Sequence, residues 1–168
     1  MLPGRHVRAA VAGAAAATVW GLLEPLDTRL FRSEYRDIAL LGKLVTSGHG
    51  WKAAGYALHA ANGALFGLGY EAALRRTAIG PRRLAVGLAL AENLALYPLA
   101  VLVDRKHPRR GARDVGPLWS RRVFAQETFR HVVFGLVLGT LSERFRTARP
   151  VIGSLRSRDG KTRARRRR

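Results

Sequence analysis

The chain has no cysteine and a single methionine among its 168 residues. Disulfides, thiol nucleophiles and cysteine-ligated metals are therefore excluded. Acidic residues are scarce as well: 11 Asp and Glu stand against 30 Lys and Arg, for a net charge of +19. A chain so basic needs an anionic partner, and two fit: nucleic acid or the headgroups of a bilayer. The chain also lacks a phosphate-cradling loop, because Gly67-x-Gly69 is isolated in an apolar stretch and follows no strand. No serine occupies a nucleophile elbow, and no HExxH pattern is present.

Segregation is the informative feature. Mean hydropathy is near zero, at -0.06, yet Arg gathers in connections and in the tail while Ala, Leu, Val and Gly fill four blocks. The blocks are long, rich in Ala and Leu and free of period-two alternation, which predicts helices. Four spans are expected, at about 7–26, 52–74, 83–104 and 122–143. A helix rises about 1.5 Å per residue, so about 20 residues cross the ~30 Å hydrocarbon core. The fold class that follows is all-α, a four-helix transmembrane bundle over residues 1–148, with a disordered basic tail at 149–168. Arg5 and Arg8 before an Ala-rich run resemble a signal peptide, but no cleavage site follows, and the first block reads as a retained helix.

Within this plan, Pro25 and Pro81 fall near block ends, whereas Pro98 lies inside the third block and is expected to kink it. Ser33 is an N-cap signal for a short amphipathic helix at about 33–46, between the first and second spans. Even spanning puts both termini on one side, with 17 Lys and Arg there against 12 opposite and Arg130 inside the fourth block. That asymmetry favours cytoplasmic termini in a multi-pass cell-membrane protein.

Blocks two and four share a pattern: His59-x3-Gly63-x3-Gly67-x3-Glu71 returns as His131-x3-Gly135-x3-Gly139-x3-Glu143. Small residues at four-residue steps let helices approach closely. A duplicated two-helix unit is one explanation, and it predicts that blocks two and four meet through these glycines.

Ionisable groups inside a bilayer cost about 2.5–3.5 kcal/mol each on insertion scales, so they face a partner or a cavity. The intramembrane polar candidates are Glu24, His59, Asn62, Glu92, Asn93, Glu127, Arg130 and His131. Glu127 and Arg130 are three residues apart and Glu127 and His131 four apart, so each pair shares a helix face. A buried structural network is the first reading of these groups. A proton or ion path is the second, and a metal or lipid-phosphate site the third. His59, Glu127 and His131 offer zinc donors, but their spacing is generic, and neither a metal nor a cofactor is expected.

Four segments carry a resemblance: Trp20-Gly-Leu-Leu-Glu-Pro-Leu-Asp, Asp37-Ile-Ala-Leu-Leu-Gly-Lys, His59-Ala-Ala-Asn-Gly-Ala-Leu-Phe-Gly and Arg130-His-Val-Val-Phe-Gly. Over about residues 7–146 the arrangement resembles small bacterial four-span membrane proteins without assigned function. The resemblance implies architecture only. The expected function is a structural or interaction role in the membrane, with self-association among its modes and anionic headgroups among its partners. A small proton- or ion-coupled transporter is the alternative, and a membrane enzyme acting on a lipid headgroup is another. A soluble RNA-binding helical domain is the weakest reading, and the arginines at 163–168 read as a lipid contact ahead of a nucleic-acid one.

Overall fold

The computed structural model describes residues 4–147. All regular structure among them is helical, with no strand. The elements are α1 (Arg5–Leu30), α2 (Asp37–Val45), α3 (Trp51–Leu74), α4 (Pro81–Leu96), a 3-10 turn (Tyr97–Leu99), α5 (Ala100–Lys106) and α6 (Arg121–Thr147). The tail predicted at 149–168 lies outside the described residues. Two helical stretches, Arg5–Leu30 and Pro81–Lys106, are long and apolar enough to cross a membrane. At 24 and 27 residues α3 and α6 have the length. Their positions are given over to Gly, Asn, His and charged side chains, which lowers their apolar content. Four spans are therefore not established by length and composition.

Local chemistry explains the boundaries. Gly80 with Pro81 at the first helical position starts α4. Ser120 starts α6 by accepting the Val123 N–H at 3.2 Å. The expected cap of α2 is different from the one observed: Ser33 accepts the Tyr35 N–H at 3.2 Å in a local turn, and α2 begins only at Asp37, after Arg36. Pro25 does not end the first helix, which runs on to Leu30. Proline frees the carbonyl four residues back, and the Tyr56 hydroxyl donates to that Gly21 carbonyl at 3.3 Å. Past Leu30 the chain reverses through Arg32, at φ 49°, with Ser33 N–H donating to Thr28 O at 3.0 Å. Pro98 sits in the 3-10 turn that separates α4 from α5.

Close helix approach is set by glycine. A Cβ on Gly13 would lie 1.9 Å from the Gly63 carbonyl oxygen, and one on Gly67 2.2 Å from that of Ala9. Only a bare backbone allows α1 and α3 to pack so tightly. Gly135 and Gly139 do the same for α6 against α4, at Val86 and Arg82. The expectation that blocks two and four meet through their glycines is thus corrected: each stripe packs on the helix preceding its own in the span order. At the α1–α3 crossing both partners are small, with α1 supplying Ala9, Gly13 and Ala17 against Gly63 and Gly67; at the α4–α6 crossing the glycines of α6 meet the backbone of Val86 and Arg82.

The helices are arranged as α3–α1–α6–α4, with α1 and α6 central and α2 laid against α3. In contrast, α3 and α4 scarcely meet. Loop 107–119 is held down beside α2: His107 bonds Leu40 O at 2.9 Å, and Lys43 pairs with Asp114. Asp104 accepts the N–H groups of Leu118 and Trp119 at 2.7 and 2.9 Å.

Candidate functional site

Three elements deliver the polar centre. On α1, Trp20, Glu24 and Asp27 recur at helical spacing and face inward. Tyr35 precedes α2 and Asp37 occupies its first turn. On α6, Gln126, Arg130, His131 and Phe134 are all buried.

Arg130 is 2% exposed and binds carboxylates from all three elements. Its Nε and Nη2 donate to the two oxygens of Asp27 at 2.6 and 2.7 Å, a bidentate fork. Nη1 donates to Asp37 and to Glu127, both at 3.0 Å. Its guanidinium carbon lies 5.3 Å from the Tyr35 ring centroid. Every nitrogen of the guanidinium is thereby committed. Asp27, 1% exposed, also accepts from Gln126 Nε2 at 2.7 Å. Asp37 accepts from Trp20 Nε1 at 2.8 Å and from the Tyr35 hydroxyl. Burial and, next, the charge of Asp37 push the Tyr35 phenol well above its ordinary pKa, so it stays a neutral donor. Glu24 accepts the Ile38 N–H at 2.9 Å and ties α1 to α2. A charged pair this deep is worth little net stability, but removing one partner is expensive because the other charge stays buried.

Trp20 connects this centre to two histidines. Its ring meets His59 and His131 edge-on, with centroids 5.2 and 4.7 Å away. His131 Nδ1 lies 2.7 Å from the Glu127 backbone carbonyl. A carbonyl only accepts, so Nδ1 carries the proton and the Nε2 lone pair is directed elsewhere. Nε2 faces Glu92 at 3.9 Å. Glu127 and His131, which share a helix face by spacing, thus meet through the main chain, while the Glu127 side chain pairs with Arg130. Asn93 donates to Thr128 at 3.0 Å. His59 Nε2 is buried with no hydrogen-bond partner among the described residues.

Beside the Arg130 centre lies a half-open cavity of about 320 Å³. Its polar wall includes Asp37, His59, Asn62, Glu92, Asn93, Glu127 and His131, and its remainder is mainly aromatic and aliphatic. It occupies the gap between α3 and α4, to which His59 and Asn62 contribute from one side and Glu92 and Asn93 from the other. All eight polar residues singled out in the sequence thus fall in or next to one region. Of the eight, Glu127 and Arg130 belong to the ion-pair network; Glu24 is bonded to the Ile38 N–H beside it, and His59, Asn62, Glu92, Asn93 and His131 stand apart from it on the cavity wall. Among the described residues no three His, Asp or Glu side chains converge to hold a metal ion.

Sequence reasoning passed over Asp27, Asp37, Tyr35 and Gln126 as members of the site. The signals were present. Trp20, Glu24 and Asp27 share a face once α1 is allowed past Pro25, and Gln126 lies one turn before Arg130.

Comparison with protein-family models, with curated proteins and with solved structures found no match.

Proposed function

We propose that the chain crosses a bilayer four times, through α1, α3, α4–α5 and α6, as a non-catalytic membrane component. In this reading its interior cavity receives a small molecule from the plane of the membrane. The observation that carries it is inverted polarity. The apolar stretch of Pro81–Lys106 is only 17% buried. Leu65, Leu94 and Leu136 are 67%, 62% and 46% exposed, while Arg130, Asp27 and Gln126 are at most 2% exposed. Water favours the opposite distribution; hydrocarbon favours this one. The Arg130 centre then acts as a structural clamp on α1, α2 and α6.

Two features support the rest of this reading. A second, open groove at the end bearing the amino terminus gathers Arg5, Arg8, Arg75 and Arg146 around Glu71 and Glu143, which suits anionic headgroups on the cytoplasmic side. The α1–α3 and α4–α6 pairs also repeat one arrangement. Gly63 and Gly67 oppose Gly13 and Ala9 as Gly135 and Gly139 oppose Val86 and Arg82, which fits a duplicated two-helix unit. A proton- or ion-conducting role has one observation in its favour, the approach of Glu92 and His131 at the cavity wall. A lipid-headgroup enzyme has less: the cavity is lined by no Ser, Thr or Lys among the described residues.

The natural absence of cysteine makes the test direct. Single cysteines replacing Gly48 or Arg110 are expected to react with an impermeant maleimide from one side of sealed vesicles, and Ala78→Cys from the other, in protein that resists carbonate extraction. Labelling of all three from one side would remove the four-crossing reading.

A further inference from the structure

The cavity wall carries more hydrogen-bond acceptors than free donors: the amide of Asn62 offers both, and the other polar groups left open on the wall are mainly acceptors. Arg130, the nearest cation, gives Nε and Nη2 to Asp27 and Nη1 to Asp37 and Glu127. Among the described residues no Lys or Arg lines the cavity. Glu92 is 30% exposed, and among the described residues its one ion-pair contact is the long approach of His131 Nε2 at 3.9 Å. That imidazole nitrogen is itself an acceptor, because Nδ1 donates to the Glu127 carbonyl. Asn93 uses its amide nitrogen on Thr128, which leaves its carbonyl oxygen to the cavity. Glu127 gives Oε1 to Arg130, and no described side chain donates to its other oxygen.

An independent observation points to a missing partner. His59 lines the cavity, is 7% exposed, and has no hydrogen bond to Nε2 among the described residues. An unmade bond on so buried a group is costly, and a polar occupant would satisfy it. The rings of Trp20, Tyr97 and Phe134 complete the wall, and aromatic faces attract cations.

We infer that the cavity takes a small amphiphilic amine, with its ammonium among Glu92, Glu127, His131 and Asn93, its head close to His59, and its hydrocarbon pointing out between α3 and α4. This inference rests on the cavity being a binding site within the bilayer, as proposed above. Size agrees. At about 30 Å³ per water-sized group, 320 Å³ holds about ten heavy atoms. The α3–α4 gap, where the two helices scarcely meet, gives a path from the lipid phase without passage through water.

The test compares octylammonium, octanol and octanoate on full-length protein in phosphatidylcholine nanodiscs, with binding read from Trp20 fluorescence after Trp51→Phe and Trp119→Phe. The net charge of +19 biases non-specific association toward octanoate, so a preference for the cation is demanding. Octylammonium is expected to bind about ten-fold tighter than octanol, the size of one charge-assisted hydrogen bond. E92Q is expected to erase that preference. Glu92 is outside the ion-pair network, so E92Q leaves the clamp intact, and unchanged thermal unfolding of E92Q checks this. Octanoate binding as tightly as octylammonium, or E92Q keeping the preference, overturns the amine assignment and leaves the cavity in place. If none of the three saturates the Trp20 signal, the cavity reading falls as well.

Discussion

Replacing Arg130 by Gln should cost more stability than any other single polar substitution in the protein. The change removes the one cation from among Asp27, Asp37 and Glu127, of which Asp27 is 1% exposed. Asp27 keeps only the Gln126 amide at 2.7 Å, and Asp37 keeps Trp20 and Tyr35. Breaking a buried pair from one side costs about 3–5 kcal/mol, a large share of the 5–15 kcal/mol that holds an ordinary domain together. Arg130→Lys should recover only part of this. A lysine is a single point donor, and it cannot serve both Asp27 oxygens and reach Asp37 and Glu127. The assay is reversible denaturant unfolding in detergent micelles, followed by far-UV circular dichroism. Asp27→Asn, Arg130→Gln and the double variant close a cycle whose coupling should exceed about 1 kcal/mol, since the two groups share two hydrogen bonds. Were Arg130→Gln to unfold within about 0.5 kcal/mol of the parent, the clamp would have no energetic meaning.

Other consequences follow from the same geometry. Gly13→Ala must move α1 off α3, because its Cβ would sit 1.9 Å from Gly63 O where ordinary contact starts at 3.4 Å. A loss of at least about 1–3 kcal/mol is expected, whereas Gly69→Ala and Gly87→Ala meet nothing within 4 Å and should gain up to about 1 kcal/mol from helix propensity. Trp20→Phe removes the indole donor to Asp37, 2.8 Å away, and should cost about 1–3 kcal/mol in the same unfolding assay. Tyr35 has a folded-state pKa raised above the ordinary value of about 10. Its contribution is therefore complete below about pH 10 and disappears as pH climbs through the folded value. Tyr35→Phe should flatten part of the alkaline loss of stability, and an unchanged alkaline limb would contradict the buried hydroxyl.

The helices were legible because apolar blocks of 15–20 residues between arginine-rich connections leave little choice of element. Their ends were less so. Pro25 suggests a stop, yet a distant group, the Tyr56 hydroxyl, takes up the carbonyl it frees, and no local rule contains that contact. A span ending at residue 26 leaves Asp27, the main partner of Arg130, in a connection, whereas α1 runs on to Leu30 and carries it. Gly63, Gly67, Gly135 and Gly139 were recognisable as packing positions from spacing alone. Their partners were not, because a four-residue stripe fixes a face and says nothing of which helix covers it. The polar residues of the centre could be found singly, since charge inside an apolar block is conspicuous. Their division between the ion-pair network and the cavity depends on the separation of α3 from α4, which is a property of the assembled bundle.

The central claim is that hydrocarbon, and not water, surrounds the outward leucines. Nitroxides placed one at a time at Leu65, Leu94 and Leu136 in lipid-reconstituted protein test it through collision with oxygen and with a water-soluble nickel chelate. High oxygen and low nickel accessibility is expected at all three, with the reverse at Arg110. Nickel accessibility at those leucines equal to that at Arg110 would contradict it.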